Sequence, residues 1–168
     1  MFKQYVAQLN LEDVFPGALG VGFIRRVEPQ DVAAFLSDQQ HYRPEYQLRE
    51  RGPNAGTKFI IQYIEPVKGN EVAVGLDIAS EPIRKAAAVS AMNSAEMAIT
   101  APIQLVQDGK KTPGFLILLP YYLPTGMRGP IGSVNERAES LIGWVYAPVL
   151  MSKLVAGLSD AQHKTIDF

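Results

Sequence analysis

The 168-residue sequence contains no cysteine. This absence excludes disulfide bonds, thiol catalysis and cysteine-ligated metal sites. Histidine is almost as scarce, with only His41 and His163, so a histidine-based metal site or catalytic triad has few side chains to draw on. The sequence therefore predicts no catalytic residue, no metal site and no cofactor.

The sequence also lacks an apolar run long enough to span a membrane, which takes about 18 residues or more. The stretch GFLILLPYYLP, residues 114–124, is too short and is interrupted by prolines. The first residues, MFKQYVAQLN, lack the long apolar region of a signal peptide. We therefore expect either a cytoplasmic protein or a soluble piece of a larger one.

A strong charge imbalance is missing as well. The 16 Lys and Arg residues are interspersed with 17 Asp and Glu residues, which gives a net charge of −1. Without a basic block or stripe, the sequence favours neither nucleic acid nor an anionic membrane surface as a partner. The apolar fraction of 47% and the chain length are typical of one folded domain.

Hydrophobic periodicity predicts helices alternating with strands. Helices are expected over residues 1–9, 29–40, 81–97 and 149–158, and strands over 21–28, 58–66, 99–107, 114–122 and 140–149, with residues 72–78 extended at least in part. Residues 41–56 and 124–132, rich in Pro and Gly, predict loops. The DGKK turn at 108–111 predicts a hairpin. The expected fold is α+β, with a central, mostly antiparallel sheet of about five strands flanked by helices.

Arg84 is the unusual charge of the predicted helix over residues 81–97. Ser80 is a favoured N-cap residue, and Glu81 and Pro82 suit the first turn. On a helical projection, Arg84 falls in the middle of an arc of small residues made by Ala87, Ala88, Ala91 and Ala95, whereas Lys85 falls on the polar side. Because small side chains allow close approach, this arc is predicted to face the sheet.

A buried guanidinium group needs a partner, since an unpaired buried charge is very costly. Three arrangements stay open from the sequence. Arg84 forms an internal ion pair, with Asp77 or Glu65 as the candidates, or it binds the carboxylate of an anionic ligand, or its side chain extends to solvent.

Two other sets of residues are candidates for catalysis or ligand binding. Glu65 and Asp77 are the candidates for paired acid–base carboxylates, but their places before a proline and near a helix start favour structural roles over catalysis. Five aromatic residues in predicted strands are typical of core packing, with ligand contact left open; they are Tyr63, Tyr121, Tyr122, Trp144 and Tyr146.

An ordered series of short motifs covers about residues 10–155. The runs are VFPGALGVGFIRRV, then YIEPVKGNEVAVGLDIASEPIRKAAAVSAMNSAEMAITAPIQLVQ, PGFLILLPYY and GWVYAPVLMSKLV. They contain an EP at the end of a strand, a G-x-D before a helix, an I-T-x-P at the start of a hairpin and a strand ending in P-x-Y. This series resembles the CHASE domain, an extracytoplasmic sensor module of bacterial and plant signalling proteins.

The resemblance implies a PAS-like sensor domain in the periplasmic or extracellular part of a membrane receptor. Residues 1–168 would form one domain, with 1–9 the remnant of an N-terminal stalk helix and 159–168 a tail towards the membrane. The transmembrane helices would lie outside this chain. The output would be a histidine kinase, a diguanylate cyclase or a phosphodiesterase, and the full-length receptor would be a homodimer.

The resemblance also places site residues. Plant members bind the adenine-type hormone cytokinin, and in an ungapped comparison their adenine-binding aspartate falls on Arg84. A backbone-contacting leucine falls near Val106 and a pocket threonine on Leu118, while Thr100 matches a threonine of the family. At these positions the family's acid is replaced by the guanidinium group of Arg84, and its hydroxyl by the apolar side chain of Leu118. Both replacements argue against cytokinin as the ligand.

We therefore expect a small-molecule sensor domain in which Arg84 holds an acidic group of the ligand. The expected ligand-binding residues are Arg84, Tyr63, Asp77, Thr100, Leu105, Val106, Leu118 and Tyr121. The alternative is an ectodomain that binds no small molecule and signals through dimerisation or a protein partner.

Overall fold

The structure is a computed structural model that describes residues 11–105, 112–123 and 132–164. In chain order its elements are α1 (Leu11–Val14), β1 (Val21–Val27), α2 (Val32–Tyr42), β2 (Lys58–Glu65), α3 (Pro82–Ser94), β3 (Ala98–Ile99), β4 (Ile103–Gln104), β5 (Pro113–Tyr122), α4 (Val134–Ser140), β6 (Leu141–Leu150) and α5 (Met151–Lys164). Short 3-10 turns occupy Pro29–Asp31, Glu71–Ala73 and Ile78–Ser80.

The strands form one sheet in the order β2-β1-β6-β5-β3, and β4 also pairs with β5. All of these pairings are antiparallel. The expected α+β fold with a mostly antiparallel sheet is therefore confirmed.

The pairing register divides the side chains between two faces, because directly opposed residues of antiparallel strands share a face. One face, which we call the helix face, is buried against α3 and carries Ile24, Leu116, Leu118, Trp144 and Tyr146. The opposite face, which we call the open face, carries Phe23, Tyr63, Leu119, Tyr121 and Val145. Helix α2 packs on the open face only at its β1–β2 end.

Helix α3 lies close to the sheet through its alanines, as the sequence predicts. Ala87, Ala88 and Ala91 are buried in the main core. The fully buried Trp144 donates its indole N–H to the carbonyl of Ala88 at 3.0 Å, and the Tyr122 hydroxyl donates to the carbonyl of Met92 at 2.6 Å. Two sheet aromatics thus hold the helix backbone directly, which small side chains on the helix make possible.

The outer edge of β2 is covered by two extended segments. The first segment contains Gly75 and Leu76, which form backbone hydrogen bonds with Ile61 of β2. The second segment contains Arg49, whose backbone N–H donates to the carbonyl of Gly75. Gly75 has a φ of +86°, and a Cβ on it would lie 1.9 Å from the carbonyl oxygen of Gln47. A glycine is required where these two segments meet.

Some predicted boundaries differ from the structure. Helix α4 was not predicted, although Ser133 and Glu136 form the capping box that the spacing S-x-x-E indicates. The backbone N–H of Ser133 donates to the carboxylate of Glu136, and this bond holds the pKa of Glu136 below its ordinary value. The last helix begins at Met151 and extends to Lys164, past the predicted end. The predicted helix over 1–9 and the turn at 108–111 lie outside the described residues.

Two glycines with nearly the same φ separate backbone strain from steric overlap. Gly69 has a φ of +87°, but a Cβ there would meet nothing within 4 Å. We expect Gly69→Ala to lower the free energy of unfolding by about 1–2 kcal/mol, the cost of a left-handed alanine. Gly75→Ala should lower it by more than about 4 kcal/mol, because overlap with Gln47 is added. Urea denaturation of both variants checks this, and equal losses would contradict it.

Candidate functional site

Asp77 is fully buried, and hydrogen bonds occupy its carboxylate. Oδ1 accepts from the backbone N–H of Phe59 at 2.8 Å and of Ala79 at 3.0 Å. Oδ2 accepts from the side-chain amide of Asn54 at 2.7 Å, and the ammonium of Lys58 lies 3.8 Å away. Asp77 therefore joins β2, the turn before α3 and the loop after α2. This is the arrangement of a structural carboxylate.

Arg84 is buried on the sheet side of α3, with 4% of its surface exposed. Its ion-pair partner is Glu81, at 3.0 Å from Nη1 to Oε2, so the predicted partners Asp77 and Glu65 are wrong. Nη2 donates to the carbonyl of Gln104 at 2.8 Å. The guanidinium group thus links the start of α3 to β4.

Glu81 also replaces Ser80 as the N-cap. Its carboxylate accepts from the backbone N–H of Ile83 and Arg84, each at 3.2 Å. Ser80 lies in the preceding 3-10 turn and donates its hydroxyl to the carbonyl of Asp77. The spacing of Glu81 and Arg84, three residues apart on a helix, is the signal by which the sequence could have identified this pair.

Arg51 adds a second positive charge beside Arg84. Its backbone N–H donates to the Ser80 hydroxyl at 2.9 Å, which places the loop over the start of α3. Burial lowers the pKa of Arg84, the ion pair with Glu81 raises it, and the charge of Arg51 lowers it further. Two positive charges therefore act on each other at the start of α3, and the ion pair of Arg84 is with Glu81. Sequence analysis missed Arg51, because it lies 33 positions before Arg84 and only folding brings the two together.

Three more predicted residues lie on the same side of the sheet as Arg84. Leu118 is fully buried on the helix face, and Leu105 is buried directly after Gln104. Thr100 is buried too, and its hydroxyl accepts from the backbone N–H of Leu116 at 3.0 Å. Val106 lies outside the described residues.

Tyr63 and Tyr121 belong to the open face and do not face Arg84. Both flank Phe23, whose ring centre is 6.1 Å from that of Tyr63 and 6.2 Å from that of Tyr121. The two tyrosines and Arg84 cannot line one pocket, because the sheet separates them. Successive residues of a strand point to opposite faces of the sheet, so the strand register decides which face each tyrosine occupies. The sequence does not fix that register to within one residue.

The carboxylates considered for acid–base chemistry do not form a pair. Asp77 bridges to Ile60 of β2, whereas Glu65 lies five residues further along the same strand. At about 3.4 Å per residue this separates them by roughly 17 Å. In the described ranges, no three His, Asp or Glu side chains are grouped to hold a metal ion.

A single antiparallel sheet in this strand order, with helices against it, is an α+β fold consistent with a PAS-like sensor domain. The family model of the CHASE domain matches residues 1–168, the full length of the sequence. The chain therefore belongs to the CHASE domain family, extracytoplasmic sensor domains of signalling receptors. A search of curated proteins found no match. Within the part of the chain that the structure describes, no helix is long and apolar enough to cross a membrane.

The role of Asp77 can be tested by its removal. Asp77→Ala leaves the N–H groups of Phe59 and Ala79 and the amide of Asn54 without their acceptor, and we expect a loss of about 3–5 kcal/mol in the free energy of unfolding. Asp31→Ala is the control, because this aspartate is exposed and makes no side-chain cap. Chemical denaturation measures both. A loss below about 1 kcal/mol in Asp77→Ala would contradict a structural role.

Proposed function

We propose that this domain is the extracytoplasmic ligand-binding part of a transmembrane signalling receptor, and that it binds an anionic small molecule at Arg84. The output in this proposal is a histidine kinase or an enzyme of cyclic-di-GMP metabolism. Membership of a sensor family supports the general role. The observation that carries the ligand class is the buried guanidinium group of Arg84, which is 4% exposed and has more N–H donors than its bonds to Glu81 and Gln104 use.

The chemistry of the guanidinium group supports an anion. Arg84 has five N–H donors, and its bonds to Glu81 and Gln104 use two of them. Burial disfavours its charged form. A ligand carboxylate would accept from the remaining donors and offset that penalty, which is how arginine recognises planar anions. Leu105 and Leu118 would then be the apolar neighbours of the ligand.

The position of Arg84 also suggests how binding reaches the rest of the receptor. Its side chain connects α3 to β4, β4 pairs with β5, and β5 pairs with β6, which runs directly into α5. A ligand that changes the Arg84–Gln104 contact would favour one arrangement of these elements over another. A signal requires such a difference in binding free energy between two arrangements.

A thermal-shift screen with mono- and dicarboxylic acids and purines tests the proposal. A ligand at about 100 times its Kd adds about 2.7 kcal/mol, or roughly 5–10 °C in Tm for a domain of this size. We expect an organic acid to give this shift and Arg84→Gln to abolish it. Arg51→Gln should reduce it.

Lys85→Gln is the matched control, since it removes the neighbouring positive charge from the exposed side of the same helix turn. Its shift should equal that of the wild type. No shift with any acid, or a shift that survives in Arg84→Gln, would reject an anion site at Arg84.

The open face supports a second candidate function, association with another protein or a second copy. Leu119 and Tyr121 are each 49% exposed there, next to the partly buried rings of Phe23 and Tyr63. Contiguous exposed apolar surface commonly marks an interaction site. This function needs no small molecule.

Sedimentation velocity measures the second candidate. If the open face associates, Leu119→Glu and Tyr121→Ser should each shift the protein towards monomer. Val72→Glu, which alters an exposed apolar residue of a loop, should leave the mass distribution unchanged. A wild-type protein that is monomeric at about 100 μM, well above the dissociation constants of typical specific dimers, would reject self-association through this face.

A further inference from the structure

A cleft of about 200 Å³ lies at the far edge of β2, between the segments 43–49 and 67–74. It shares no residue with the Arg84 site. Its walls include Arg43, Glu45, Arg49 and Glu71, and its apolar surface comes from Tyr46, Val67 and Val74. Charges of both signs thus border a small apolar surface.

The two arginines of this cleft are held in place by bonds to the fold. Nη2 of Arg43 donates to the carbonyl of Gln62 and to Oε1 of Gln39, each at 2.8 Å, and its guanidinium lies 5.1 Å from the ring centre of Tyr46. Nη1 of Arg49 donates to the carbonyl of Val72 at 2.9 Å. Both groups keep further N–H donors, and fixing them in advance lowers the entropy lost on binding.

The two carboxylates differ in availability. Oε2 of Glu71 accepts from the backbone N–H of Gly69 at 2.9 Å. Glu45 is exposed and makes no hydrogen bond or ion pair to any residue in the described ranges. One carboxylate of the cleft is therefore free to accept from a cationic group of a ligand.

Tyr46 and Val74 give the cleft a firm apolar wall. Tyr46 is 2% exposed and donates its hydroxyl to the carbonyl of Ile61 at 2.9 Å. Val67, at 40% exposure, is the apolar residue of the opposite loop. A ligand with a short hydrocarbon group would bury the exposed surface of Val67 and Val74.

We propose that this cleft is a second ligand site, which binds a small zwitterion of the α-amino-acid class. The ligand carboxylate pairs with Arg43 and Arg49, its ammonium with Glu45, and its side chain packs on Tyr46, Val67 and Val74. Charges of both signs that line one small cleft fit a zwitterion better than a simple anion, because a simple anion leaves Glu45 as a repulsive neighbour.

Isothermal titration calorimetry with L-leucine tests this assignment on the full chain. We expect Arg49→Gln and Glu45→Gln each to weaken binding about tenfold or more, the effect of one lost charge-assisted hydrogen bond. 4-Methylpentanoate lacks the ammonium and 3-methylbutylamine lacks the carboxylate. Each should bind at least about tenfold more weakly than L-leucine for the same reason.

Arg25→Gln is the control, since Arg25 is exposed and lies outside the cleft. Its affinity for L-leucine should match the wild type. Because Arg49 also bonds to Val72, far-UV circular dichroism checks that Arg49→Gln keeps its fold. The Glu45→Gln variant breaks no hydrogen bond or ion pair among the described residues and therefore tests the site independently. No binding at about 10 mM L-leucine, far weaker than a typical specific Kd, or unchanged affinity in Glu45→Gln, overturns the proposal.

An Arg84→Gln variant separates this site from the proposed function. If L-leucine binding is lost in Arg84→Gln but kept in Arg49→Gln, the molecule binds beside α3, and the second site is rejected while the first is supported. If binding is kept in Arg84→Gln and lost in Arg49→Gln, the second site stands, whatever the acid screen shows.

Discussion

The buried carboxylate of Asp77 is the interaction on which the rest of this structure depends. Its two oxygens collect N–H donors from β2, from the turn before α3 and from the loop that follows α2. Lys58 of β2 adds to this junction, since its ammonium bonds Glu50 and the carbonyl of Asn54 and lies 3.8 Å from Oδ2 of Asp77. Because the carboxylate has no access to water, each of these donors is required, and the three segments are held in one arrangement.

Both candidate ligand sites are positioned by that junction. The turn fixed by Asp77 leads into Glu81 and Arg84, and the loop fixed through Asn54 carries Arg51 over the same turn. On the other side, the backbone bonds of Arg49 to Gly75 and Asp77 place Arg49 at the cleft. The buried charge of Asp77 therefore orients the charges of both candidate sites, as supporting residues of binding sites commonly do.

The alanine face of α3 is the second constraint. Without bulky side chains the helix backbone comes within hydrogen-bond distance of Trp144 and Tyr122, and the space between helix and sheet is filled by residues of the sheet. The centre of the helix face is closed by Trp144 and Leu118, both 0% exposed. The two candidate sites for charged ligands consequently lie away from this centre. One is at the start of α3, where Arg84 lies, and the other is at the outer edge of β2.

The sequence by itself determined the fold class, most strands and helices, and the inward direction of Arg84. These follow from local periodicity, which a chain carries in its own residue order. The sequence also carries local signals for the pair Glu81–Arg84 and for the capping box of α4, because both depend on a spacing of three residues. Only the tertiary structure decided that Asp77 is structural, that Arg51 lies beside Arg84, and that Tyr63 and Tyr121 face away from it. Such facts depend on strand register and on contacts between distant segments, since one residue of slip reverses a strand's faces and no local pattern records which loop folds over which turn.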